Sequence, residues 1–299
     1  MFQDLLIRLR GDSSQLTGAV KKSKKEINGF QKQLAGVSST LKTVFVGAVS
    51  VAAVQSVRLA KDFTKSMTQI KALVGVASDE VDAMAVSARK MAIQTGKSSN
   101  EAAEALFFIT SAGLRGADAM NVLEASLKAS AVGLGQTKSV ADLATSALNA
   151  YGTENLTAIE ATDILTASVR EGKLEASELA ASMGRVLPVA SNMGVEFHEV
   201  GAAFAAMSRT GTNAAEASTS LNAILSGLLK PTQDAEMALG EMGLSSKGLK
   251  QQIKDEGLLS VLKTLKTEFD KNSDASARVF PNLRALRGVL DLVGAGAET

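Results

Sequence analysis

Cysteine and tryptophan are missing from this chain of 299 residues, and histidine occurs once, at His198. Without thiols there is no disulfide framework and no thiolate metal site, and one imidazole is too few for most metal-dependent or histidine-dependent catalysis. The expectation is therefore no metal and no cofactor. Aromatic residues make up 4% of the chain, Tyr151 is the single tyrosine, and proline is confined to Pro188, Pro231 and Pro281. A core must then be built from Ala, Val, Leu and Met, which suits closely spaced helices better than sandwiches or barrels. The length allows one or two domains and a real core.

A long apolar run is also lacking. The uncharged segment 43–57, TVFVGAVSVAAVQSV, would span about 22 Å as a helix, short of the ~30 Å hydrocarbon core. It reads as a buried or pairing helix, and as the basis of an alternative in which the protein is a membrane-active translocation or pore-forming protein after a conformational release. Residues 1–12 do not read as a signal peptide, because Asp4 comes early and no uncharged apolar run precedes a small-residue cleavage site. Assembly in the cytoplasm is the resulting expectation.

The net charge of +1 hides an asymmetry. Residues 1–75 carry 12 Lys/Arg against 4 Asp/Glu, a net of +8, which leaves −7 for residues 76–299. A basic end faces nucleic acid, an anionic membrane or an acidic protein surface, or is simply a solvated helix face. Basic residues interleaved with stacking aromatics are absent, so no sequence-specific nucleic-acid binding is expected.

What is present is helical patterning. Phe2–Arg10 alternates weakly and reads as a short strand ending at Gly11-Asp12. After it, Leu16, Val20, Ser23, Ile27, Phe30, Leu34, Val37, Leu41 and Val44 recur at spacings of four and three. A 3.5-residue period over some four heptads marks a coiled-coil seam, so Leu16, Val20, Ile27, Phe30, Leu34, Val37, Leu41 and Val44 are the candidate oligomerisation residues. Gly18, Gly29 and Gly36 each weaken that helix by about 1 kcal/mol relative to alanine, which favours a partner.

From Ser78 onward the pattern is a series of helices with small-residue joints. Slid by 98 positions, the chain matches itself: Gly96 falls on Gly194, Glu101 on Glu199, Ala105 on Ala203, Gly113 on Gly211, Leu123 on Leu221 and Leu127 on Leu225. This predicts related halves at about 78–128 and 176–226, inside a helical core region 76–299 that follows a basic arm 1–75. Ser98 with Glu101 reads as a capping box, Gly96 as a helix C-cap, and Pro188 as a break in the second copy. The fold class expected is all-α: long coiled-coil-like N-terminal helices, then a compact multi-helix region with a two-fold repeat.

Catalytic chemistry is weakly represented. The carboxylate pairs Glu101/Glu104, Glu175/Glu178 and Glu196/Glu199 stand near helix starts, where the dipole favours them without catalysis. Gly133-Leu134-Gly135 and Gly294-Ala295-Gly296 lack the residues of a phosphate loop. No catalytic residue is assigned.

The order of motifs resembles the N-terminal and core region of phage tail tape measure proteins over about residues 1–290. The carriers are Gly11-Asp12-Ser13, Ala60-Lys61-Asp62-Phe63 through Met67 and Ile70, and Gly96-Lys97-Ser98-Ser99-Asn100-Glu101-Ala102-Ala103. Further on they are Ala112-Gly113, Tyr151-Gly152, Leu187-Pro188-Val189-Ala190, and Leu228-Leu229-Lys230-Pro231 before Met242-Gly243-Leu244. Val279-Phe280-Pro281-Asn282 departs from the usual Phe-Gly of that family.

The resemblance implies a structural virion protein rather than an enzyme. Such a protein sits as a homo-oligomer in the tail tube lumen, recruits tail tube and tail tip proteins with assembly chaperones, and sets tail length by its own length. It leaves the tube at genome ejection and contacts the host inner membrane. A wholly helical chain of this size spans only about 450 Å, so the sequence is expected either to continue beyond Thr299 or to belong to a short tail-like particle.

Overall fold

The computed structural model describes residues 61–75 and 77–294. The chain divides into two compact units, residues 1–64 and 65–299, and the elements named below belong to the second. The strand expected at 2–10, the seam residues Leu16, Val20, Ile27, Phe30, Leu34, Val37, Leu41 and Val44, and the uncharged segment 43–57 lie outside the described residues.

Within those residues the fold is all-α, without a strand. A π-helical turn, Ile70–Val74, leads to α1 (Ser78–Gln94), α2 (Ser99–Ser111), α3 (Gly116–Ala131), α4 (Thr137–Tyr151) and α5 (Ala158–Glu171). There follow α6 (Ala176–Met183), α7 (Leu187–Met193), α8 (Phe197–Arg209) and α9 (Ala214–Leu229). The last five are α10 (Gln233–Glu241), α11 (Ser246–Glu256), α12 (Leu258–Lys271), α13 (Ser273–Val279) and α14 (Leu283–Val293).

Helix limits recur at the 98-residue spacing. Ser99–Ser111 corresponds to Phe197–Arg209, Gly116–Ala131 to Ala214–Leu229, and the start of α1 at Ser78 to the start of α6 at Ala176. Burial recurs with them, since Leu106 and Phe204, Ile109 and Met207, Leu123 and Leu221, and Leu127 and Leu225 are all fully buried. The joints explain this locally. Gly96 and Gly194 sit at φ 68° and 80°, left-handed backbone that a side chain disfavours. Each closes its helix with the same pair of bonds, Lys97 N–H to Ala92 O (2.8 Å) with Gly96 N–H to Ile93 O (3.2 Å), and Val195 N–H to Ala190 O with Gly194 N–H to Ser191 O, both 3.0 Å.

The correspondence breaks where Pro188 stands. Its ring clashes with the carbonyl four residues back and it lacks an N–H, so a single helix like α1 is replaced by α6 and α7, with the proline in the first turn of α7.

α1, α2 and α3 pack on one another, α4 lies against both α2 and α3, and α5 packs on α3 and α8. In the second half α9 packs on α6, α7 and α8, and α14 lies across α9 and α8. Two bonds tie the end of α4 to the α7 region: the Tyr151 hydroxyl donates to Val195 O (2.9 Å) and the Ser191 hydroxyl to Ala150 O (2.6 Å). Burial, first, and the nearby carboxylates Glu199 and Glu196 push the Tyr151 phenol above its ordinary range.

Candidate interaction surface

Three carboxylate pairs were the sequence's nearest approach to catalytic chemistry, and each has a structural post. Glu175 is the N-cap position of α6, with Glu178 in its first turn. Glu196 and Glu199 form a reciprocal capping box on α8, which their place near a helix start does not by itself announce because Glu is an unusual N-cap residue. The box expected at Ser98 and Glu101 is half made. The Ser98 hydroxyl accepts from Glu101 N–H at 3.1 Å, but the Glu101 carboxylate turns to α4, accepting from the Thr137 hydroxyl (2.6 Å) and amide (3.4 Å). A tie across 36 residues leaves no local signature in sequence.

Burial raises the Glu101 pKa, and the bonds from Thr137 together with the Lys97 charge outweigh it, holding the carboxyl below its ordinary 4.5. A lowered carboxylate contributes stability that is fully present above the unfolded-state value and is lost as pH falls through the folded one. The urea midpoint of Glu101→Gln should therefore lie below that of the wild type at pH 7, and the difference should shrink progressively below pH 4.5. An equal difference at pH 7 and pH 3 would remove Glu101 as its source.

Glu199 repeats the arrangement with a different helix. Its carboxylate accepts from Leu258 N–H, the first residue of α12, at 2.7 Å, and from Glu196 N–H at 3.1 Å. His198 is exposed, with Nδ1 3.1 Å from Glu196. Among the described residues no group of His, Asp and Glu could hold a metal ion.

Beside Glu199 opens a groove of about 650 Å³ between α5, α8, α12 and α14. Its floor is Ala202, Ala203 and Ala206 of α8, and its walls include Ile164 of α5, Leu259 of α12 and Leu292 of α14. Glu171, whose carboxylate receives Arg170 Nε at 2.8 Å and stands 3.6 Å from Arg209, closes one end. The groove offers mainly aliphatic surface, with Glu171, His198, Glu199 and Arg209 also in its lining. Sequence alone did not mark it, because its walls come from helices far apart in the chain.

Exposed aliphatic residues extend beyond the groove: Leu283 and Leu290 of α14 are 81% and 60% exposed. Among the described residues no helix is long and apolar enough to cross a membrane.

The described residues thus form a helical scaffold with a largely aliphatic groove on α8. The chain matches the phage-related minor tail protein family over residues 85–280 and belongs to that family. It is 27% identical over 212 residues to the tape measure protein of Pneumococcus phage Dp-1, covering 71% of this chain and 18% of that protein. It is 25% identical over 294 residues to the probable tape measure protein of Escherichia phage P2, covering 96% of this chain and 35% of that one. The chain thus spans well under half the length of these relatives. No solved structure matches it.

Proposed function

We propose that this phage tail protein is a tape measure protein, one that templates tail tube assembly, sets tail length by its own length and leaves the tube when the genome is ejected. The observation that carries the reading is the family match over residues 85–280, and the two relatives named as tape measure or probable tape measure proteins agree with it. On this reading the protein is structural and has no enzymatic activity.

Its place would be the lumen of the tail tube, after assembly in the host cytoplasm, with tube and tip proteins and an assembly chaperone as partners and the host inner membrane as a contact at ejection. The basic arm 1–75, through the seam Leu16 to Val44, would bundle copies along the tube. The halves near 78–128 and 176–226 are read as two versions of one helical unit, supported by helix limits that recur 98 residues apart.

In-frame deletions and duplications in the full-length gene test the ruler. Tail length, measured on electron micrographs, should change in proportion to the residues removed or added, by about 1.5 Å per helical residue. Tails of unchanged length would end the proposal.

A further inference from the structure

The 98-residue correspondence shows what the groove on α8 lacks. In the first half the opening turn of α4 covers one strip of α2. Thr137 bonds to Glu101, the Lys138 ammonium stands 3.3 Å from Glu104, and the same ammonium lies 4.1 Å from the Phe108 ring centroid. The corresponding positions on α8 are Glu199, Ala202 and Ala206. The first amide of α12 takes Glu199, but α12 then packs on α11, α13 and α14. Ala202 and Ala206 are left lining open space. Where α2 presents a glutamate and a phenylalanine to its covering helix, α8 presents two methyl groups, so whatever covers α8 must bring the bulk itself.

We propose that this groove seats the outer face of α14 from a second copy of the chain. α14 buries Ala285, Gly288, Val289 and Leu292 on its own core and turns Leu283 and Leu290 outward. Those leucines are seven residues apart with Arg287 between them, one stripe about 10 Å long, which fits along the ~20 Å of α8. They supply the aliphatic bulk that the alanine floor is missing.

Charge agrees with the fit. Arg284 and Arg287 lie along the stripe, Arg287 3.9 Å from Asp291 of its own helix, while the groove has Glu171 and Glu199 against Arg209 in its lining and Glu196 beside it at His198. Each copy carries both the groove and the stripe, so the contact joins unlike surfaces of two copies, and the rotation between them sets whether it closes a ring or extends a row. The contact uses residues 164–292 only and does not depend on the ruler reading.

A chain without cysteine permits a clean test. The full chain is made in two differently tagged forms, one with Ala206→Cys and one with Leu290→Cys, which are mixed and oxidised with copper phenanthroline. Disulfide-linked pairs of the two forms should form in several-fold higher yield than between Ala206→Cys and a control with Val86→Cys, an exposed position on α1. Adding Leu283→Asp to the Leu290→Cys form should bring the yield down to the control. Equal yields for the pair and the control, or indifference to Leu283→Asp, overturn the proposal. So does capture in the infected cell of a different protein by Ala206→Cys, with none of the second copy. Association through any other part of the chain raises pair and control alike, so failure of this contact is distinguishable from failure of self-association or of the tail reading.

Discussion

Phe204→Ala is expected to lower the free energy of unfolding by about 3–5 kcal/mol, the largest effect of any single truncation considered for this chain. Phe204 stands in the middle of α8 and is fully buried. Its removal loses the transfer energy of an aromatic ring and leaves a cavity that surrounding helices, fixed by their own short joints, fill only in part. Leu106, its counterpart on α2, is equally buried, and Leu106→Ala should cost about 2–5 kcal/mol. Urea titration of the two variants gives both values, with the slope kept near that of the wild type. A cost under about 1 kcal/mol for Phe204→Ala would mean that α8 does not hold the core position described here.

The second large effect is expected at Gly201. On α8 its face is pressed against α5, so that a Cβ placed there would lie 2.5 Å from the Ser168 hydroxyl and 2.9 Å from Ile164 Cγ2. Neither group can simply swing aside: the serine hydroxyl is donating to Ile164 O at 2.7 Å, and the isoleucine is branched at Cβ and stiff. Gly201→Val should therefore force α5 away from α8 and cost about 1–3 kcal/mol or more through overpacking. The contrast lies at Ala103, the corresponding position on α2, which already accommodates a Cβ. Thermal unfolding of Gly201→Val, measured beside Gly201→Ala, reads the effect. A melting temperature for the valine variant equal to that of the wild type would show that the α5–α8 crossing is looser than described.

The helices with clear punctuation were legible in the sequence. Gly96, Gly113, Gly194 and Gly211 mark ends that the structure puts where the pattern did, because left-handed backbone is a local demand that glycine meets at low cost. Pro188 was legible for the same kind of reason. α13 was not: seven residues between Asn272 and Phe280 are too short to display a period. Asn282 does open α14, its side chain accepting from Arg284 N–H at 2.9 Å, so the departure at Val279-Phe280-Pro281-Asn282 still starts a helix there.

Tertiary choices were beyond reach of any local pattern. The pairing of Glu101 with Thr137 and of Glu199 with Leu258 depends on which later helix arrives at each glutamate. The groove depends on how α5, α12 and α14 are set around α8. Leu283 and Leu290 read as ordinary members of an amphipathic helix, and only the packing of α14 shows that they are the two left outside.

The short joints described above also govern time. No connector between α1 and α14 is longer than residues 152–157, and most helices pack on the next one or two in the chain. Closing small loops costs little entropy, and helical chains dominated by such contacts fold in microseconds to milliseconds. Synthesis adds about 5–20 residues per second. The α1–α4 cluster therefore has time to close before α8 has been made, and α14, which must reach back to α8 and α9, sets the last step by which the unit locks.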